Sequence, residues 1–296
     1  MKKLYALKAV VLVLFVSLFA SCSDDDSSST DNNNNPTPIE QHFDYSYDGQ
    51  VVPVTILQAV RVEDHFAVSA TTADGLKNVE IEFNKHGNLV EALAINGFDW
   101  QAAYYYNKSN YFTFTLIEID EENKTIEGTF SGKVFDDEYD ITSDFNTVSG
   151  SFKVVYTEEQ PQVAGLHFDA AINGTNWYGT GSNQSFDLAG KAELSNVSDD
   201  KYELTLVINT DEVATGTYVF NNDSAFNKVK VGIFNPAEGY ALDTDINSGT
   251  LTITQITPGT LYTIIEGTFS VTATDPATGQ AITVTNGSFK TAYDNN

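Results

Sequence analysis

Apolar and polar residues alternate with a period of two through much of the chain. Phe112, Phe114 and Leu116 alternate with Thr113 and Thr115, and Leu251 and Ile253 alternate with Thr252 and Thr254. Such a period sends one set of side chains to a dry face and the other to water, which predicts half-buried strands. Further strands are expected at 54–62, 66–70 and 79–83, and later at 184–194, 202–208, 216–220 and 228–234. Asp74-Gly75 and Lys85-His86-Gly87-Asn88 separate them as turns. A 3.6-residue period is missing, and only 211–215 is suited to a single helical turn.

The alternating pattern is duplicated. Ile126-Glu127-Gly128-Thr129-Phe130-Ser131 recurs as Ile265-Glu266-Gly267-Thr268-Phe269-Ser270, and 110–131 aligns without a gap to 249–270. Each copy opens on His-Phe-Asp, at His42-Phe43-Asp44 and His167-Phe168-Asp169, followed by a turn at Asp48-Gly49 or Asn173-Gly174. Each closes on Gly-Ser-Phe-Lys, at 150–153 and 287–290. Asn286-Gly287 alone would read as a hairpin turn, but the aligned Ser149-Gly150 lacks the asparagine, so a bulged continuous strand is expected. Mid-strand glycine at Gly128 and Gly267 costs packing and backbone entropy, which calls for a bulge or a large neighbour lying across it. The expected fold is all-β, with two tandem antiparallel domains, sandwich or open barrel, at 42–158 and 166–294. Gln160-Pro161-Gln162 marks the linker at 159–165.

The first 41 residues follow a different logic. Lys2, Lys3 and Lys8 precede or begin an apolar run that ends at Phe19, and Ala20 and Ser21 then lead to Cys22, the only cysteine. The run is short for a membrane span, so 1–21 reads as a cleaved signal. Leu18-Phe19-Ala20-Ser21-Cys22 resembles the bacterial lipoprotein processing site, with Phe19 where leucine is usual, which implies a lipid anchor on Cys22. Ser23-Asp24-Asp25-Asp26 resembles the acidic surface-export signal of Bacteroidota lipoproteins. The rest of 22–41, rich in serine and asparagine, lacks any apolar period and is expected to be a disordered tether with a reach on the order of 25 Å. The address implied is the outer membrane, facing outward.

Charge narrows the partners. The formal net charge is −26, and removing the three lysines of the signal takes it to −29. Arg61 is the only arginine, no basic patch is visible, and nucleic acid is therefore a poor partner.

The order Phe-x-x-x-Ile-Asn-Gly-x-x-Trp, then Glu-Gly-Thr-Phe-Ser, then Asn-Gly-Ser-Phe resembles a family of uncharacterised Bacteroidota lipoprotein domains. The second copy follows it over 168–289, while the first departs at 45–52, lacking Ile-Asn and Trp. The resemblance implies an all-β fold and a surface address; it implies no activity.

Candidate chemistry is sparse. His42, His65, His86 and His167 stand in no nucleophile motif and have no zinc-ligand spacing. Calcium is the best inorganic candidate, with Asp243, Asp245 and Asn247 offering oxygens at alternate positions, against an ordinary acidic loop. Ser224 in Asp223-Ser224-Ala225 resembles a short O-glycosylation acceptor. The aromatic cluster is richer: Phe98 precedes a strand on which Trp100, Tyr104 and Tyr106 share one face and Tyr105 the other. Core packing and an exposed sugar-binding platform both fit that pattern. The functional expectation is a non-enzymatic, lipid-anchored surface protein that binds a partner, with glycan as the ligand class the aromatics suggest. The second reading is a structural accessory subunit bound to an outer-membrane protein, and the third a glycan hydrolase.

Overall fold

In the computed structural model, residues 39–104, 111–137, 140–186, 190–235 and 240–295 are described, with side chains except at 181–186 and 240. The signal, Cys22, nearly all of the tether, Tyr105 and Tyr106 lie outside these residues. Among the described residues every regular element is a strand. The first eleven are β1 (His42–Tyr47), β2 (Gln50–Val51), β3 (Val54–Val62), β4 (His65–Thr72), β5 (Lys77–Asn84), β6 (Leu89–Asn96), β7 (Asp99–Tyr104), β8 (Phe112–Asp120), β9 (Thr125–Phe135), β10 (Phe145–Val155) and β11 (Thr157–Glu159). After 160–166 come β12 (His167–Ile172), β13 (Thr175–Tyr178), β14 (Gly181–Phe186), β15 (Lys191–Val197), β16 (Tyr202–Asn209) and β17 (Gly216–Phe220). The last five are β18 (Lys228–Asn235), β19 (Tyr240–Asp243), β20 (Asp245–Pro258), β21 (Tyr262–Thr274) and β22 (Ala281–Asp294).

The same strand order occurs twice. In the second half the order β13-β12-β22-β21-β20-β17 makes one sheet and β14-β15-β16-β18-β19 another. Side chains of both sheets meet in one hydrophobic cluster, so this half is a sandwich. In the first half, β2-β1-β10-β9-β8 matches the first of these sheets and β3-β4-β5-β6-β7 the second. Here the two are joined into a single 11-stranded sheet by one bridge, Ala102 to Phe135, and the sheet curls around its own core without closing into a barrel. All pairings are antiparallel except β11, which lies parallel to the Val60–Val62 end of β3.

The repeated sequence is explained by four cross-strand pairs. Gly128 stands opposite Phe152 and Phe130 opposite Gly150; Gly267 stands opposite Phe289 and Phe269 opposite Gly287. On each strand glycine and phenylalanine are two residues apart, hence on one face, and the antiparallel partner presents them in reverse. Each ring therefore lies over the backbone of a residue that has no Cβ. The third ring of each set comes from the opening His-Phe-Asp: Phe43 sits 5.6 Å from Phe152, and Phe168 sits 5.8 Å from Phe289. All six rings are buried, at about 1.5–3 kcal/mol each relative to exposure.

Several expectations need adjustment. The gapless alignment does not describe the pairing, because Phe114 faces Phe130 whereas Leu251, aligned with Phe112, faces Phe269. The second hairpin is longer by one residue in each arm, and the resulting slip of two keeps the same side chains dry. The single strand expected at 184–194 is a hairpin of β14 and β15, whose return includes Gly190 at φ 74°; alternation continues across the turn and hides it. The 211–215 stretch gives no helix, only an isolated turn in which the Val213 N–H donates to the Asn209 carbonyl at 2.9 Å. The opening turns are as expected, with Asp48, Gly49, Asn173 and Gly174 all at positive φ. So is the bulge of the second copy, where Thr285 and Asn286 together oppose Ser270 within a continuous β22, whereas β10 of the first copy pairs with β9 without a register shift and has no bulge at Ser149-Gly150.

Residues Ile39–Asn296 form one compact unit. A buried carboxylate ties its halves together: Asp199 accepts from Asn88 Nδ2 at 2.8 Å and from the Leu89 N–H at 2.9 Å. Beside it the His86 ring stacks on Tyr178 at 3.5 Å, and the Gly165 N–H donates to Glu63 Oε1 at 2.8 Å.

Two measurements test this account. A Cβ on Gly267 would run into the Thr252 carbonyl oxygen and stand 2.7 Å from Phe289 Cζ, whereas on Gly128 it would meet only ring atoms, Phe152 Cζ at 2.8 Å and Phe114 Cε2 at 3.2 Å. Gly267→Ala is expected to destabilise by about 1–3 kcal/mol and Gly128→Ala by less, as read from urea midpoints. Asp199→Ala strands the buried Leu89 N–H and should lower stability by about 1–3 kcal/mol in the same assay.

Candidate ligand groove

The most promising concavity lies where the turn between β6 and β7 meets the junction between β9 and β10. Asn96 pairs with Asp99, leaving a two-residue turn of Gly97 and Phe98 with Gly97 at φ 70°. Glycine at the first central position suits the type II′ geometry that matches strand twist. The turn throws Phe98 to its tip, where the side chain is fully exposed. Trp100 follows on β7 opposite Ile95, 43% exposed, and Phe145 begins β10 opposite Phe135, 45% exposed. These three rings line a groove of about 520 Å³.

Its polar lining is Asp99, Asp136 and Asp144 together with the amides of Gln101 and Asn146. Gln101 is buried, and its partners account for it fully on the acceptor side: Oε1 accepts from the Tyr47 hydroxyl at 2.7 Å and from Asn146 Nδ2 at 2.8 Å. Its Nε2 donates to Asp136 Oδ1. Burial, and after it the charge of Asp48, raises the Tyr47 phenol above its ordinary value, so the hydroxyl stays a neutral donor. The floor is thus a closed hydrogen-bonded knot that holds the rings' supporting strands in place. Such a site can stack a flat apolar face and hydrogen-bond polar groups at its edge.

Of the residues singled out from the sequence, Trp100 lies in this groove and Tyr104 does not. Tyr104 is half-buried on the same outward face of the sheet, opposite Glu91, and Tyr105 and Tyr106 lie outside the described residues. The groove's far wall was missed, because Asp136 and Asn146 reach Gln101 from 35 and 45 residues away. Alternation carries no trace of that meeting; only the cluster of acids at 136–144 hinted at something other than a tight turn.

The other candidates are placed as follows. Asp243, Asp245 and Asn247 do not form a ligand loop: Asp243 ends β19 in one sheet, and Asp245 and Asn247 begin β20 in the other. Asp243 is ion-paired with Lys230 at 2.9 Å and Asn247 Nδ2 donates to Thr274 Oγ1 at 2.9 Å. The chain crosses between sheets there, with Thr244 buried at the crossing. Ser224 sits in the turn between β17 and β18, half-buried, its Oγ accepting from the Asn221 N–H at 3.1 Å. His42 and His167 open β1 and β12 as exposed strand-end residues.

One titrating group stands apart from the groove. On the outward face of the curled sheet Glu80 lies two residues from Glu82, which itself faces Glu91 across β5 and β6. Burial first, then the neighbouring Glu82 and Glu91 carboxylates, pushes Glu80 up to about 7.

Taken together, the class is an all-β protein with a twice-repeated strand order and a shallow aromatic groove at one end of its first half. A family model described as Domain of unknown function (DUF6252) matches residues 166–292, the second half. No curated protein and no solved structure matches the chain.

Because Glu80 is raised, the folded chain keeps a proton that the unfolded chain releases. Its contribution to stability is present below the ordinary glutamate value of 4.5 and is lost as pH rises to about 7. Glu80→Gln should therefore raise stability at about pH 8 by on the order of 1–3 kcal/mol and change it little at about pH 4, as thermal melts at the two pH values will read.

Proposed function

We propose that this is a lipid-anchored cell-surface protein, built of β-modules at 42–158 and 166–294 on an N-terminal tether, that binds glycan without transforming it. The observation that carries the reading is the groove with three exposed aromatic rings, Phe98, Trp100 and Phe145, over a polar floor. Exposed aromatic surface is costly in water, and its concentration around one concavity points to a ligand that covers it. A pyranose suits the chemistry, since its C–H face stacks on a ring while its hydroxyls meet carboxylates and amides at the edge.

Binding is favoured over hydrolysis by the placement of the carboxylates. Glu80, Asp169 and Asp200, the carboxylates whose proton affinity is raised, are not among the residues that line the groove. The anchor rests on the Leu18-to-Cys22 pattern and the acidic Ser23-Asp24-Asp25-Asp26 that follows it.

Trp100→Ala should weaken retention on a matching polysaccharide by roughly twofold to tenfold, since such an aromatic contact is worth about 0.5–1.5 kcal/mol. The melting temperature should stay unchanged, and affinity electrophoresis beside a thermal melt reads both. A variant that fails to fold would assign Trp100 to the core and remove the proposal.

A further inference from the structure

We propose that the saccharide taken by this groove bears free ammonium groups, an amino-sugar glycan and not a neutral or acidic one. The inference rests on the glycan reading above and concerns the charge of the ligand.

The groove's lining contains three carboxylates and no basic side chain. Asp136 is engaged by Gln101, but the carboxylates of Asp99 and Asp144 have no hydrogen-bond or ion-pair partner among the described residues. Lys133, a nearby base among the described residues, forms no ion pair with them: its ammonium is turned onto aromatic rings, 3.8 Å from the Phe145 centroid and 5.8 Å from that of Tyr111. Two carboxylates without an ion pair among the described residues thus stand in a concave surface walled by low-dielectric rings. That arrangement focuses negative potential, in a chain of net charge −26, and draws cations while repelling uronic or sulfated sugars. The rings add to the same preference, because an ammonium over an aromatic face is attracted by its quadrupole. Lys133 on Phe145 is that contact already made within the protein. A ligand carrying ammonium groups on a pyranose frame would satisfy carboxylates and ring faces together, which a neutral sugar does only in part.

Three hexamers with one β-1,4 backbone test the charge alone: glucose, N-acetylglucosamine and glucosamine, which place hydroxyl, acetamide or ammonium at C2. Calorimetry uses the full chain at about pH 5.5 in about 0.05 M and about 0.5 M salt. The expected result is at least tenfold tighter binding of the glucosamine hexamer at low salt. Most of that preference should disappear at high salt and in the Asp99→Asn, Asp144→Asn double variant, with the glucose hexamer little affected by either. Equal binding of the three, or tighter binding of the acetylated one, overturns the inference and leaves the glycan groove standing, provided Trp100→Ala weakens them. Failure of all three to bind removes the glycan reading itself. A glucosamine preference that survives both the double variant and Trp100→Ala, or displacement by hexalysine at equal concentration, means that the acidic chain attracts any polycation, and the inference falls.

Discussion

Each half of this protein depends on a phenylalanine ring lying where a neighbouring strand has no Cβ. The pairs Gly128 with Phe152, Phe130 with Gly150, Gly267 with Phe289 and Phe269 with Gly287 are the same device used four times. The ring covers backbone that glycine leaves bare, and glycine admits a ring that any side chain would expel. Because the device is reciprocal, it also sets register. Sliding one strand by a residue would put every ring on the wrong face, and sliding by two would set ring against ring in one direction and glycine against glycine in the other. The six-residue identity between the copies is therefore the core's signature, and the third ring, from Phe43 or Phe168, is why His-Phe-Asp recurs with it.

A frame fixed so firmly at two strands tolerates change elsewhere. The hairpin of β20 and β21 has grown by a residue in each arm relative to that of β8 and β9, with bulges in both to absorb the difference. The second half has added β17 beyond β20, and keeps its two sheets apart where the first half joins them through Ala102 and Phe135. This last difference bears on the groove. The Ala102 bridge brings β7 against the end of β9, which places Gln101 beside Asp136 and Trp100 near the start of β10. The second half, lacking that bridge, has no counterpart to it among its described residues.

The groove joins two kinds of demand. Its floor satisfies buried polar groups by pairing them with one another, Gln101 with Tyr47, Asn146 and Asp136. Its rim does the opposite, leaving Phe98 in water and Asp99 and Asp144 without partners among the described residues. A surface selected for solubility alone would pair or scatter such groups; a rim of uncovered rings and carboxylates over a rigid floor is suited to a partner from outside.

The chain's periodicity and turn residues were enough for the all-β class, for strands such as β3 at its observed bounds, for the two opening turns and for the bulge at Asn286, because alternation and positive φ are local properties. They were enough to single out Gly128 and Gly267 as needing a large neighbour, though not to say which ring supplies it. Where the pattern carried through a turn, as at 184–194, the strand count was wrong, and where two copies matched letter by letter the pairing still differed by two residues. An alternating run near Asp243 suggested ligands that the fold divides between two sheets. The groove shows the same limit: Phe98 and Trp100 are legible as an aromatic cluster on one strand, but their exposure, and the company of Phe145, Asp136 and Asp144, follow from side-chain contacts across 35 to 45 residues and from the Ala102–Phe135 bridge. Sequence alternation states which side of its own strand a residue takes. Only the closing of the sheet decides what stands on the other side of the space it faces.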